Sequence, residues 1–165
     1  MDTLKHYLPL CWLKLNPLDL PRSVVFLKQN LWIYFIVEFF LQANMTDDPI
    51  ESFVEVTIET LLTFVLIGIL LYLNKTMYAY IQVSSALLFT SNVVSVVIIP
   101  VLVWLTITEN TISYYLLGLA LFWEFAIVAY ILRLVIGINV PASMVMSLVY
   151  FGATYYGAYT LGQLI

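Results

Sequence analysis

The chain has 165 residues, of which 63% are hydrophobic and only 10% are charged, and its formal net charge is −4. A soluble domain carries about 25% charged residues, so this composition excludes an ordinary water-soluble globular protein. Six dispersed lysines and arginines also exclude a nucleic-acid-binding surface, which needs clustered basic residues. The sequence therefore predicts an all-α, polytopic bundle of transmembrane helices whose main partner is the lipid bilayer.

Residues 1–22 form the longest polar segment and are predicted to lie at the cytoplasmic end of the membrane domain. They mix apolar residues with Lys5, Lys14 and Arg22, and three prolines prevent one continuous helix. Two interpretations remain open, a segment lying on the anionic leaflet and a solvated tail. Cys11 is the only cysteine, so it cannot form an internal disulfide and is expected to be a free structural thiol.

Five apolar stretches follow, each long enough to cross a hydrocarbon core of roughly 30 Å as a helix. Ser23 is expected to cap the first helix, and Pro49 is a good first-turn residue for the second. Pro100 predicts a kink or a tilt in the long third span, and Gly137 is expected to end the fourth. The predicted spans are residues 23–43, 53–73, 80–107, 112–137 and 141–165, which form the transmembrane domain 23–165.

The distribution of basic residues predicts the orientation of these spans. All of them fall on one side of a five-span arrangement: Lys5, Lys14, Arg22, Lys28, Lys75 and Arg133. The opposite loops carry only acidic charges: Asp47, Asp48, Glu51 and Glu109. Positive charges favour the cytoplasmic side, so we expect the N-terminus inside and the C-terminus outside. We expect a multi-pass protein of the bacterial inner membrane.

Glu124 is the acidic residue predicted to lie deepest, near the middle of the fourth span. A charge at that depth costs about 2.5–3.5 kcal/mol on insertion scales, so it requires a reason. Arg133 is roughly 13 Å away along the same helix, too far for an unstrained ion pair. Donors on other spans are therefore expected for Glu124: Asn92, Ser95, Tyr155 and Tyr156. Glu124 is either part of a proton or cation relay or a protonated glutamate that holds helices together.

A second set of glutamates, Glu51, Glu55 and Glu59, recurs every four residues along one face of the second span. A solvated outer face followed by one buried contact is the favoured interpretation, and a vestibule that admits cations is the alternative. Glu59 is expected to lie deep enough to face Glu124. The candidate polar site within the membrane consists of Glu124, Glu59, Asn92 and Arg133.

Small residues predict where helices approach one another closely. The third span carries three serines on one face, Ser84, Ser91 and Ser95. The fifth span carries two pairs spaced by four residues, Ala153 with Gly157 and Ala158 with Gly162. Such faces are typical of helix packing or oligomerisation.

Signatures of catalysis and of cofactor binding are absent from the sequence. One cysteine and one histidine cannot supply a transition-metal site of ordinary ligand count. The chain has no P-loop, nucleophile elbow, dinucleotide-binding or zinc-protease motif. The sequence therefore predicts no enzyme, no cofactor and no metal site.

From about residue 61 to the end, the chain resembles a Yip1-type membrane domain. A span with small polar residues and a late proline (ALLFTSNVVSVVIIPVLVWL) is followed by an aromatic and acidic span ending in a basic residue (YLLGLALFWEFAIVAYILRLVIGINV). A final span led by proline and alanine (PASMVMSLVYFGATYYG) completes the pattern. The resemblance implies five spans, a cytoplasmic N-terminus, and scaffolding or trafficking rather than catalysis. Eukaryotic members of that family are linked to small GTPases and vesicle transport.

Two functions remain open from the sequence. The leading one is a non-enzymatic scaffolding component or accessory subunit, acting through helix contacts on spans three and five. Its partners would be further copies of the chain or other membrane subunits. The alternative is a small oligomeric transporter or channel, with Glu59 and Glu124 in its polar pathway.

Overall fold

The computed structural model describes residues 2–43, 48–108 and 110–164, and these ranges contain helices and no strand. The predicted loop residues Asp47 and Glu109 lie outside the described residues. A short helix, Asp2–Tyr7 (α1), opens the chain. Four helical segments are long and apolar enough to cross a membrane. They contain the helices Val24–Ala43 (α2), Pro49–Leu73 (α3), Tyr80–Thr108 (α4) and Thr111–Ile136 (α5).

Local sequence signals set the ends of these helices. The Ser23 Oγ accepts a hydrogen bond from the backbone N–H of Phe26 at 3.2 Å, which confirms the predicted cap of α2. Asp48 caps α3 by accepting from the backbone N–H of Ile50 at 2.8 Å. Gly137 ends α5 with a φ of 74°, a left-handed conformation that glycine adopts without steric cost.

The last predicted span is helical but is not one uninterrupted α-helix. It consists of Val140–Phe151 (α6), a π-helical turn at Gly152–Tyr156, and Gly157–Gly162 (α7). The residues that flank the π turn keep right-handed helical dihedral angles, so the path from 140 to 162 is continuous. That path is about 35 Å long.

Long helices that follow one another along the chain run in opposite directions, and α2 and α4 run in the same direction. α4 packs against both α2 and α5, and α3 packs against α2 and α7. α6 packs against α5. Pro100 lies within α4, which remains helical from Tyr80 to Thr108.

The two ends of the bundle carry opposite charges. The Asn74 Nδ2 donates to the backbone carbonyl of Val135 at 3.1 Å, which places the end of α3 beside the end of α5. Lys75 and Arg133 belong to these termini, and we call this side the basic end.

The opposite side of the bundle is the acidic end, defined by Asp48 and Glu51 at the start of α3. The Gln163 Nε2 lies 3.4 Å from the Glu51 Oε1, so the residue after α7 reaches this end. The described part of the chain thus begins at the basic end and finishes at the acidic end.

The N-terminal segment, residues 4–22, is packed into the bundle at the basic end. Tyr7 is fully buried, and its ring lies 4.5 Å from that of Phe26 and 5.7 Å from that of Phe89. Leu10 and Leu20 are also buried. The interpretation of this segment as a solvated tail is therefore wrong, because Tyr7, Leu10 and Leu20 belong to the hydrophobic core.

Hydrogen bonds from two helices hold the same segment in place. The Trp123 Nε1 of α5 donates to the backbone carbonyl of Cys11 at 2.9 Å. The Gln82 Nε2 of α4 donates to the carbonyls of Leu18 and Leu20, at 3.1 and 2.7 Å. Cys11 is a buried free thiol, and burial raises its pKa to about 11.

Candidate functional site

Glu59 and Glu124 line the same cavity, at about the middle of α3 and α5. The cavity has a volume of about 20 Å³, which is enough for one water molecule and too small for an organic solute. The residues described around it include no lysine, arginine or histidine. Its lining consists of Tyr34, Glu59, Thr63, Leu87, Leu88, Thr90, Ser91, Glu124, Val128, Tyr150, Phe151, Thr154 and Tyr155.

Both carboxylate oxygens of Glu59 accept hydrogen bonds from α2. The Tyr34 hydroxyl donates to Oε1 at 2.5 Å, and the Gln42 Nε2 donates to Oε2 at 3.1 Å. Glu59 is only 1% exposed. A buried carboxyl needs such partners, because an unpaired polar group in an apolar interior is costly.

Glu124 takes its partner from α4. The Ser91 hydroxyl donates to the Glu124 Oε1 at 2.7 Å. Ser95 instead donates to the backbone carbonyl of Ser91, and Tyr156 is largely exposed. Of the predicted donors only Tyr155 reaches the cavity, so the expected donor set was wrong and Ser91 is the residue that it lacked.

Asn92 and Arg133 lie away from the cavity. The Asn92 Nδ2 donates at 3.0 Å to the backbone carbonyl of Asn30, so this residue joins α4 to α2. Arg133 is exposed near the basic end and lines a separate groove on the outside of α5 and α6. The four predicted polar residues thus separate into one pair at the cavity and two residues elsewhere.

The first span contributes a polar stripe that sequence reasoning missed. Asn30, Tyr34 and Glu38 recur every four residues and are all buried. Glu38 is 7% exposed and interacts electrostatically with Glu59 and Glu124, which makes it a third carboxyl near the centre. The four-residue spacing of polar residues in an apolar helix was the signal that identifies this face.

The π-helical turn Gly152–Tyr156 lies against the cavity. It contributes Thr154, which is buried, and Tyr155. Tyr150, one turn before Thr154, lines the same cavity as Thr63 of α3. π turns of this kind occur frequently at functional sites, where they redirect side chains.

The glutamates of α3 are not a solvated face. Glu51 is half-buried, whereas Glu55 is 8% exposed and Glu59 is buried inside the bundle. The expected solvated position was therefore wrong for Glu55, whereas the expected deep position of Glu59, facing Glu124, is confirmed. The cause is α7, which packs along α3 and covers the stripe.

Glycines on α7 make this contact with α3 close. A Cβ on Gly157 would lie 3.1 Å from the Leu62 Cδ1, and a Cβ on Gly162 would lie 2.8 Å from the Glu55 Cγ. Both glycines therefore serve packing within the chain rather than an outward-facing contact.

The other small residues of the predicted packing faces are buried to different degrees. Ser84 is fully buried and Ser95 is 3% exposed. Ala158 is buried, and Ala153 is half-buried. Among them, only Ser91 contacts the polar centre through its hydroxyl.

Comparison of the chain with protein-family models, with curated proteins and with solved structures found no match. Within residues 2–43, 48–108 and 110–164, no three histidines, cysteines or carboxylates are arranged to hold a metal ion. The polar centre is thus described by its own geometry: carboxyls on different helices, surrounded by hydroxyl groups, at a water-sized cavity.

Proposed function

We propose that the chain crosses the membrane five times, with its N-terminus in the cytoplasm. Support comes from the helical path 140–162, which is long enough for a fifth crossing. The positions of Lys75 and Arg133 at the basic end, with the packed N-terminal segment, fit the positive-inside rule. A location in the bacterial inner membrane and a Yip1-type fold remain predictions from the sequence.

We propose that this protein carries protons across the membrane through Glu59 and Glu124. The observation that supports this most strongly is their shared cavity at mid-depth, without a basic residue among the described lining. Ionisable groups inside a membrane are costly and by default indicate a functional pathway. Two carboxyls without a basic partner repel when both are charged, so a shared proton stabilises the pair.

The surrounding groups are suited to proton transfer. The hydroxyls of Tyr34 and Ser91 contact the two carboxyls, and a hydroxyl both donates and accepts. A cavity of about 20 Å³ has room for one bridging water. The proton is therefore the species that this centre can carry without a larger opening.

The test is proton flux into liposomes that contain the purified protein and a pH-sensitive dye. We expect a flux above that of empty liposomes, reduced by at least about tenfold in Glu59→Gln and in Glu124→Gln, because glutamine cannot release a proton. Asp19→Asn is the matched control, since Asp19 is an exposed carboxylate outside the spans. Absence of flux in the wild-type protein, or normal flux in both glutamine variants, would contradict the proposal.

A second candidate function is the scaffolding or accessory role. It is favoured by an apolar groove of about 360 Å³ between α2 and α4, lined by Ile36, Val37, Phe40, Leu41, Ile99, Leu102, Val103 and Thr106. Leu102→Trp fills this groove and should reduce co-purification of a membrane partner in mild detergent. Gly157 is unsuitable for this test, because it packs against Leu62 of the same chain. A chain that purifies alone and monomeric would count against this role.

A further inference from the structure

The acidic end of the bundle has an open pocket above the seam between α3 and α7. Its volume is about 470 Å³, and its polar lining comes from Asp48, Glu51 and Gln163, with Gly162 at its edge. The pocket gives the surface of the acidic end a carboxylate-lined entrance, which attracts protons and other cations.

Along α3, Glu55 is placed between Glu51, which lines this pocket, and Glu59, which lines the central cavity. It follows Glu51 by one helical turn and precedes Glu59 by one turn, so the three carboxyls are spaced by about 6 Å along the axis. Glu55 is 8% exposed and makes no hydrogen bond within the part of the chain that the structure describes. The residue as a whole is covered, but its carboxyl lies close to the open acidic end, so it is available to bind and release a proton.

Gly162 makes the position of Glu55 possible. A Cβ at residue 162 would lie 2.8 Å from the Glu55 Cγ and 3.5 Å from its Oε1, so any other residue would displace this side chain. Gly152, on the same helical path, has no atom within 4 Å of its Cβ position. The observed position of Glu55 therefore requires a residue without a Cβ at position 162.

Toward the basic end, the layer between α3, α4 and α5 is apolar, while α4 also buries the hydroxyls of Ser84 and Ser85. Ile67 and Leu71 of α3, Val83 of α4, and Leu132 and Val135 of α5 are all buried there and surround a small gap of about 10 Å³. Beyond this layer, the N-terminal segment is packed against α4 and α5. This side presents no carboxyl within the described helices between the cavity and the basic end.

We infer that protons enter the central cavity from the acidic end through the α3–α7 seam, with Glu55 as the relay between the outer pocket and Glu59. This inference rests on the proposed proton-carrying function. A hydronium ion in the pocket gives its proton to the Glu55 carboxylate and becomes water. Glu55 then passes the proton to Glu59 and regains its charge, so no other reactant is needed. Gly162 is a positioning residue for this step.

The experiment measures the infrared carbonyl band of protonated carboxyls after a rapid drop in pH, using the full chain in lipid nanodiscs. The bands of the central pair are those that disappear in Glu59→Gln and Glu124→Gln. We expect Glu55→Gln to slow the appearance of these bands by about 100-fold, the low end of what a positioned proton-transfer group contributes. Glu55→Asp should keep the rate within about tenfold of wild type, because it retains a carboxyl.

Gly162→Ala provides a second test that keeps every carboxyl. It should slow the same bands, whereas Gly118→Ala should match the wild type, because Gly118 of α5 is exposed, lies outside the cavity lining and has no atom within 4 Å of its Cβ position. Unchanged rates in both Glu55→Gln and Gly162→Ala would overturn the entry route. In that case, bands of Glu59 and Glu124 that still respond to pH would remain consistent with the proposed function. If no band of Glu59 or Glu124 responds to pH at all, the proposed function and the route both fail.

Discussion

The hydrogen bond between Tyr34 and Glu59 offers the sharpest test of the polar centre. Tyr34→Phe removes only the hydroxyl that donates to the Glu59 Oε1 at 2.5 Å, and it keeps the buried ring. The Gln42 Nε2 still donates to the other carboxylate oxygen. The variant therefore isolates one contact between α2 and α3.

Two ranges bound the expected magnitude. Hydrogen bonds between membrane helices contribute on average about 0.6 kcal/mol and at most about 1.7 kcal/mol in double-mutant cycles. Hydrogen bonds to charged groups contribute about 1.5–3 kcal/mol. Because Tyr34 is only 5% exposed and the two oxygens of Glu59 each have a donor, we expect the upper part of the membrane range. The expected coupling energy is about 1.5 kcal/mol.

The assay is a double-mutant cycle on the free energy of unfolding in mixed micelles, using wild type, Tyr34→Phe, Glu59→Leu and the double variant. Leucine removes the acceptor, whereas glutamine would keep one. Tyr78→Phe is the control, because Tyr78 is 60% exposed and lies outside α3 and α4, and its coupling to Glu59→Leu should be zero. A coupling between Tyr34 and Glu59 below about 0.3 kcal/mol, within the usual error of additivity, would refute the contact.

Three further predictions concern packing and the N-terminal segment. Burial raises the pKa of the Cys11 thiol from 9.0 to about 11, so maleimide labelling of the folded protein should be slow below that pH. The thiol of the unfolded chain ionises first, so the free energy of unfolding should fall as the pH rises from 9.0 to about 11. Labelling at the rate of a free thiol would contradict the burial of Cys11. Trp123→Phe removes the donor to the Cys11 carbonyl, so it should lower the free energy of unfolding by about 1 kcal/mol and accelerate maleimide labelling of Cys11. An unchanged labelling rate would show that other contacts hold the N-terminal segment. Gly157→Leu should lower the free energy of unfolding by about 1–3 kcal/mol, because a Cβ at residue 157 lies 3.1 Å from the Leu62 Cδ1. Gly152→Leu should change the free energy of unfolding by less than about 0.5 kcal/mol, because no atom lies within 4 Å of a Cβ there. Equal effects of the two substitutions would contradict the packing of α7 on α3.

Helix ends could be predicted from the sequence because their signals are local. Ser23, Pro49 and Gly137 act within one turn of their own position, and the structure places helix boundaries where those residues predict them. The lengths of four apolar helices followed from composition for the same reason.

The polar centre was only partly predictable because its partners lie on different helices. Glu59 and Glu124 were identified by their depth, but Tyr34 and Ser91 were found only through the packing of α2 on α3 and of α4 on α5. In a membrane, polar residues face the interior of the bundle, so a stripe spaced by four indicates the core. Glu55 was assigned to solvent because its contact with Gly162 of α7 cannot be read from the sequence of α3 alone.

The N-terminal segment has a consequence for how the protein is made. Its carbonyls at Leu20 and Cys11 are held by side chains 62 and 112 residues later in the chain. Because translation runs from the N-terminus, this segment leaves the ribosome long before Trp123 exists and remains without its final contacts until α5 is in the membrane. Docking of this segment is then one of the last steps of biogenesis, and a substitution that weakens it would affect the end of assembly rather than its beginning.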